Sequence, residues 1–174
     1  MKNSRKAFFF DRDGVLNESI VINGRPYSPL NMDELQIRDG AVDIIKYLKA
    51  RNYIIIVVTN QPDVKRKKTS KKFVENIHKY LRKKLKFHDL YVSYDSSDNS
   101  YFRKPKPGMI YSAKKKWNIN LKKSYIIGDR NKDILAGLNA GIKTIFINNN
   151  YSEKKPIFSH YQIRKLTEIK KIIN

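Results

Sequence analysis

Asp11 and Asp13 stand two residues apart at the end of an apolar run, and Gly14 follows at once. Acids paired in this way can do three kinds of chemistry. One carboxylate can attack phosphorus as a nucleophile, both can help to hold a divalent cation, and the second can carry a proton. Gly14 lets the chain turn sharply away and gives a ligand close access to the backbone. The same residues could also form a turn that merely holds two acids, so the pattern gains meaning only from polar groups elsewhere. Three further clusters supply them: Thr59-Asn60, Arg103-Lys104, and Asp129 with Asp133. Together the four clusters offer two or three acids for a cation, a hydroxyl and an amide as donors, and a lysine. Phosphoryl transfer needs such an inventory, because its catalysis rests on a metal and fixed positive groups around charge-bearing oxygens.

Distant clusters converge only if the fold brings them together. Residues 7–10 read as a strand buried on both faces, ending at Asp11. Residues 18–31, with Gly24, Pro26 and Pro29, read as an irregular loop. Asp39 and Gly40 open a helix with Val42, Ile45 and Leu48 at helical spacing, and residues 53–58 form a second strand that halts at Thr59. Thr69 or Ser70 caps a longer helix that turns Phe73, Ile77, Leu81 and Leu85 inward. Strands follow at 90–94, 124–128 and 144–147, with helices at 109–117 and 132–140 between them. A terminal amphipathic helix is expected over 163–173, with Ile163, Leu166, Ile169 and Ile173 inward. This alternation implies an α/β fold with a doubly wound, mostly parallel sheet, organised as one domain over residues 1–174. Parallel strands deliver their carboxyl ends to one edge, where ligands collect in such sheets.

The bulk composition narrows the classes. With 40% hydrophobic residues in 174, the chain can bury a substantial core. It has no cysteine, which excludes disulfides and thiolate chemistry. The basic stretch 1–6 precedes an apolar run too short for a signal peptide, no run is long enough for a membrane span, and a cytoplasmic location is expected. The formal charge of +21 attracts polyanions, either through a generally basic surface or through a dedicated patch. His78, His88 and His160 have no motif partner and read as surface or half-buried fillers.

The four clusters, in this order, resemble the four motifs of the haloacid dehalogenase-like phosphatases, over roughly residues 6–150. The resemblance implies a Rossmann-like fold and gives each residue a role. Asp11 would be the nucleophile that becomes an aspartyl-phosphate, and Asp13 the acid and then the base. Mg²⁺ would sit between the Asp11 carboxylate, the Asp13 backbone carbonyl and Asp129. Thr59 and Lys104 would hold the phosphoryl oxygens, and Asp133 would orient Lys104 or a metal-bound water from behind. The intervals between Asp11 and Thr59, and between Thr59 and Lys104, leave no room for a cap domain.

Among capless members, Thr59-Asn60-Gln61 and the run from Arg103 to Met109 resemble D-glycero-D-manno-heptose 1,7-bisphosphate 7-phosphatases and histidinol-phosphatases. That branch implies a small phosphorylated metabolite as substrate, a place in carbohydrate metabolism that supplies lipopolysaccharide or capsule precursors, and a monomer. It would put Asn60, Arg103 and Arg130 among the substrate contacts. Residues 19–28 do not match the heptose enzymes' substrate loop, and Arg25 and Tyr27 are the replacements within it. The alternative is a polynucleotide 3′-phosphatase, which shares Asp-x-Asp-Gly, Thr-Asn-Gln and Arg-Lys-Pro; nucleic acid is the less favoured partner because basic and aromatic residues do not alternate beside the motifs. Relatives clip the loop before Arg103 with zinc. No structural zinc is expected here, because Ser100 and Phe102 precede Arg103 and no thiolate is available. That loop is expected to be held by polar contacts from Ser96, Ser97, Asp98 and Asn99 and by packing of Tyr101 and Phe102.

Overall fold

The computed structural model describes residues 4–173; Met1–Asn3, part of the basic N-terminal stretch, and Asn174 lie outside it. Six parallel strands form the main sheet in the order β5-β4-β1-β6-β7-β8. These are β1 (Lys6–Phe10), β4 (Tyr53–Asn60), β5 (Asp89–Ser93), β6 (Tyr125–Gly128), β7 (Lys143–Ile147) and β8 (Tyr161–Ile163). From β1 the chain winds first towards β5 and then, from β6, towards β8. The crevice beside β1 is therefore the switch point at which doubly wound sheets bind ligands.

Alternation along the strands builds two cores. Phe8, Phe10, Ile55, Val57, Ile127 and Ile145 face one side, under α1 (Ala41–Ala50), α2 (Lys71–Leu85) and the chain's end. Ala7, Phe9, Ile56, Val58 and Ile126 face the other, under α3 (Gly108–Trp117) and α4 (Asn131–Ala140). The period-2 pattern puts both layers against apolar sheet faces, and near-complete burial of β1 holds Asp11 in register with its neighbours. Ser70 caps α2, its hydroxyl accepting the Phe73 N–H at 3.0 Å. No cap domain is inserted among the described residues.

Three expectations are corrected. Residues 18–31 hold a hairpin, β2 (Ile20–Ile22) with β3 (Arg25–Tyr27), not an irregular loop. Its two-residue turn is Asn23-Gly24, both at positive φ, the turn that matches strand twist. Second, β4 runs on through Thr59 and Asn60, which pair with Val92 and Ser93, so these residues lie within the strand. Third, no helix spans 163–173. Ile163 ends β8, and Glu168 accepts the Arg164 and Lys165 N–H groups at 2.9 and 2.7 Å. That contact starts a 3-10 turn at Leu166 and leaves only the short α5 (Ile169–Ile172). Ile163, Leu166 and Ile169 still point inward.

Candidate active site

One cleft at the carboxyl edge of β1, β4 and β6 is lined by Asp11, Asp13, Thr59, Asn60, Lys104, Asp129, Arg130 and Asp133. Tyr27, at the end of β3, and Ser28 after it line the same cleft. Gly14, at φ 73°, makes the approach possible, since a Cβ there would run into the Asp129 carboxylate and the Tyr151 hydroxyl.

Lys104 is the hub. Its buried ammonium donates to Asp11 Oδ1 at 2.7 Å and to the Val58 carbonyl at 2.8 Å, and pairs with Asp133 Oδ1 at 2.6 Å. Burial alone would push this lysine down, but Asp11 and Asp133 outweigh it and raise it to about 12. Asn60 braces the same residue: its amide donates to the Lys104 carbonyl at 3.0 Å, and its oxygen accepts the Lys104 N–H at 3.1 Å. Asp133 is fully used, because its other oxygen accepts the Arg130 N–H at 3.0 Å.

Asp13 is held by five donors' worth of contacts from four residues. Arg12, Asn17, Ser28 and Gln61 all reach its carboxylate at 2.7–3.1 Å. Burial pushes Asp13 up, yet the Arg12 charge and the hydrogen bonds from Asn17, Ser28 and Gln61 win and hold it below the usual carboxylate range. Asp11 goes the other way, raised to about 6 by burial and by Asp133, with Lys104 only partly compensating. Asp129 is raised for the same reasons, by burial and then by Asp11 and Asp133.

This crowding fits a cation. Ligand atoms of Asp11, Asp129 and Asp133 lie within 4.8 Å of one another, all of them buried. Lys104 cancels one of their three charges, which leaves a surplus matched by a divalent ion. Asp129 Oδ1 is buried and has no hydrogen-bond partner among the described residues. Oxygen-only donors suit a hard ion such as Mg²⁺.

Two expected residues sit differently. Arg103 does not line the cleft. It is buried behind it, donating from Nε to Asp98 Oδ1 at 3.2 Å and from Nη1 to the Asp95 carbonyl at 2.9 Å. Arg25 lies in an adjoining hollow with Arg130, Lys132 and Lys154. Arg130 itself is gripped by Glu153 at 2.6 and 2.8 Å.

The loop at 95–103 is held by ion pairs, Lys65 to Asp95 at 2.8 Å and Arg103 and Lys132 to Asp98 at 3.2 Å, and by hydrogen bonds in which the Ser97 hydroxyl accepts the Asn99 N–H at 3.3 Å and the Asn99 carbonyl accepts Lys106 at 2.6 Å. Tyr101 lays its ring over Gly108, but Tyr101 and Phe102 stay 54% and 47% exposed and meet each other edge to face, so their packing is less than expected.

Several site residues carry no signal in the motifs. Asn149 donates to the Gly14 carbonyl at 2.9 Å and to the Tyr151 hydroxyl at 3.0 Å, beside Asp129. Both come from the polar loop after β7. His78 is no filler: it is buried on α2 and lies 3.1 Å from Arg12. An arginine between two acids was the one visible hint of that contact.

A family model described as haloacid dehalogenase-like hydrolase matches residues 20–141. The chain is 33% identical over 149 residues to a D-glycero-beta-D-manno-heptose-1,7-bisphosphate 7-phosphatase of Helicobacter pylori, covering 81% of this chain and 82% of that one. It is 30% identical over 173 residues to the D-glycero-alpha-D-manno-heptose-1,7-bisphosphate 7-phosphatase of Campylobacter jejuni, covering 97% and 94%. In fold it is similar to the D,D-heptose 1.7-bisphosphate phosphatase of B. bronchiseptica, solved with magnesium and phosphate, at a TM-score of 0.80 and 19% identity over 97% of both chains.

Proposed function

The chain belongs to the haloacid dehalogenase-like hydrolases, and from that premise we propose that it is a Mg²⁺-dependent phosphomonoesterase acting on a sugar phosphate, D-glycero-D-manno-heptose 1,7-bisphosphate at its 7-phosphate. One observation carries the reading: Asp11 and Asp129 just past β1 and β6, Thr59 near the end of β4, and Lys104 from the loop after β5 meet in one cleft, in a chain similar along most of its length to two heptose bisphosphatases.

In this reading each residue has a part in the chemistry. An Asp11 oxygen forms a bond to phosphorus as the bond to the leaving alkoxide breaks, giving an aspartyl-phosphate. Asp13, ionised in the free cleft, first takes the proton that a monoanionic phosphate ester brings, gives it to the departing oxygen, and then takes one from the water that hydrolyses the intermediate. Lys104 fixes the Asp11 carboxylate and carries positive charge to the phosphoryl oxygens, with the Thr59 hydroxyl as a further donor. Asp133 and Asn60 hold Lys104 in place, and Arg130, steadied by Glu153, stands at the sugar end. The Asp11 and Asp129 carboxylates and the Asp13 carbonyl would hold Mg²⁺, which when bound supplies charge neutralisation for nucleophile and phosphate alike.

The test is a phosphatase screen with Mg²⁺ in which both heptose bisphosphate anomers, histidinol phosphate, other sugar phosphates and a 3′-phosphorylated oligonucleotide are compared. A kcat/KM for heptose bisphosphate at least tenfold above every other substrate is expected. Preference for the oligonucleotide, with binding that weakens steeply as salt rises, would replace this reading with the nucleic-acid one.

A further inference from the structure

Among the described residues Arg12 is the largest side chain with no exposure at all, and it does not line the cleft. A guanidinium removed from water is costly unless its N–H groups are paired. Its Nε reaches Asp13 Oδ1 at 3.1 Å, and its Nη2 reaches Oδ1 at 2.9 Å and Oδ2 at 2.7 Å. On the outer side, Nη1 lies 3.1 Å from His78 Nε2. A guanidinium can only donate, so His78 Nε2 must accept, which requires a neutral ring with its proton on Nδ1. Burial and the Arg12 charge push His78 down to about 3, in keeping with that state.

We infer that Arg12 is a positioning residue for the proton transfer made by Asp13, and that His78, by accepting the outer Arg12 N–H, sets the angle of that grip. The inference rests on the reading of Asp13 as acid and base. A plain counter-charge would need only a lysine, whereas Arg12 presents a planar fork that fixes the plane of the carboxylate as well as its place. The fork in turn needs a fixed far side. Without His78, one buried N–H loses its acceptor, and the guanidinium must tilt to find another. Small displacements of a proton-transferring group are costly because transfer requires hydrogen-bond reach.

Leaving-group dependence separates this role from a merely structural one. An alkyl phosphate, such as the best sugar phosphate from the screen, needs a proton on its departing alkoxide; p-nitrophenyl phosphate does not. Steady-state kinetics with Mg²⁺ would compare both substrates for wild type, Asp13→Asn, His78→Leu, His78→Gln and Arg12→Lys. His78→Leu is expected to lower kcat/KM, which reports only steps up to departure of the leaving group and not the water attack common to both substrates, about tenfold on the alkyl phosphate and no more than about twofold on the aryl phosphate. His78→Gln, whose amide oxygen can stand where Nε2 stands, should restore most of the loss. Arg12→Lys should behave like His78→Leu; should it fail to fold, the two His78 variants carry the test. Equal losses on both substrates, no loss, or no recovery in His78→Gln would overturn the inference. Asp13→Asn separates the two levels. If it too shows no preference for the aryl phosphate, the acid-base reading falls and takes this inference with it. If it shows the preference and the His78 variants do not, the inference alone falls.

Discussion

Asp129→Asn should make the protein more stable without metal and less able to gain from it. The Asp129 carboxylate shares its cluster with two others, ligand atoms within 4.8 Å, while Lys104 offsets one of them. One net like charge at that distance costs about 3 kcal/mol at an effective dielectric of about 20. Asparagine has nearly the same shape, keeps an oxygen beside Tyr151 and Asn149, and removes the charge. After relaxation and screening by cleft water, a gain of about 1–3 kcal/mol should remain. In a chain of 174 residues each kcal/mol moves Tm by about 2–4 °C, so the variant should melt several degrees above wild type in chelator at pH 8. Mg²⁺ reverses the order. At a hundredfold excess over Kd it adds about 2.7 kcal/mol to wild type and far less to the variant, which has lost a ligand charge. Thermal melts of both proteins, in EDTA and across a MgCl₂ titration, read all four states. A variant that melts at or below wild type in EDTA, or that gains as much from Mg²⁺, would refute the charge argument.

Three further outcomes are expected. Asp11→Asn should leave less than about 1% of phosphatase activity with the circular dichroism spectrum unchanged, since an amide cannot attack phosphorus; release of phosphate in single turnovers above that level would count against covalent catalysis. Ser124 is fully buried, accepts the Ala7 N–H at 2.9 Å and donates to the Asn120 carbonyl at 2.6 Å, so Ser124→Ala should cost about 1–3 kcal/mol in urea unfolding, and a loss under half of that would mean another group takes over. His78 binds a proton near 6.5 when unfolded but only near 3 when folded. Its contribution to stability is therefore complete above about pH 6.5 and falls as pH drops towards 3, by about 1.4 kcal/mol per unit. His78→Gln should flatten the decline in urea midpoint between pH 6.5 and 5; an unchanged slope would show that the ring titrates freely.

The parts legible in the sequence were those with a local signal. The apolar runs of β1, β4 and β6 end at acids or hydroxyls, and a parallel sheet has only one edge to which such ends can go. That logic brings Asp11, Thr59 and Asp129 together without knowledge of a single contact, whereas Lys104 reaches them from the loop after β5. The hairpin was missed because Gly24, Pro26 and Pro29 read as loop composition, although Asn23-Gly24 between short apolar pairs is itself a turn signal. The resemblance puts Arg103 on the substrate because it precedes Lys104, but adjacent side chains can point apart, and Arg103 turns to Asp98. Helical spacing over 163–173 was real as an inward face, yet Glu168 moved the start of the helical turn by bonding two backbone N–H groups. Asn149, Tyr151 and His78 lie far from any motif, so only the tertiary fold brings them to the site.

The hairpin has a consequence for how such an enzyme can change its diet. It begins after Asn17 and ends before Ser28, and both of these residues bond the Asp13 carboxylate, at 2.9 and 2.7 Å. The insertion is thus clasped at its two ends by the carboxylate proposed to move protons, while its tip is tied elsewhere, the Gly24 carbonyl accepting the Ser152 N–H. Residues 18–27 form an exchangeable cassette with a fixed buckle. A hairpin grafted from a relative with another substrate, with Asn17 and Ser28 kept, should redirect selectivity while sparing turnover of an activated aryl phosphate. The same graft with the buckle broken should lose hydrolysis of alkyl phosphates whichever sugar it was built to admit.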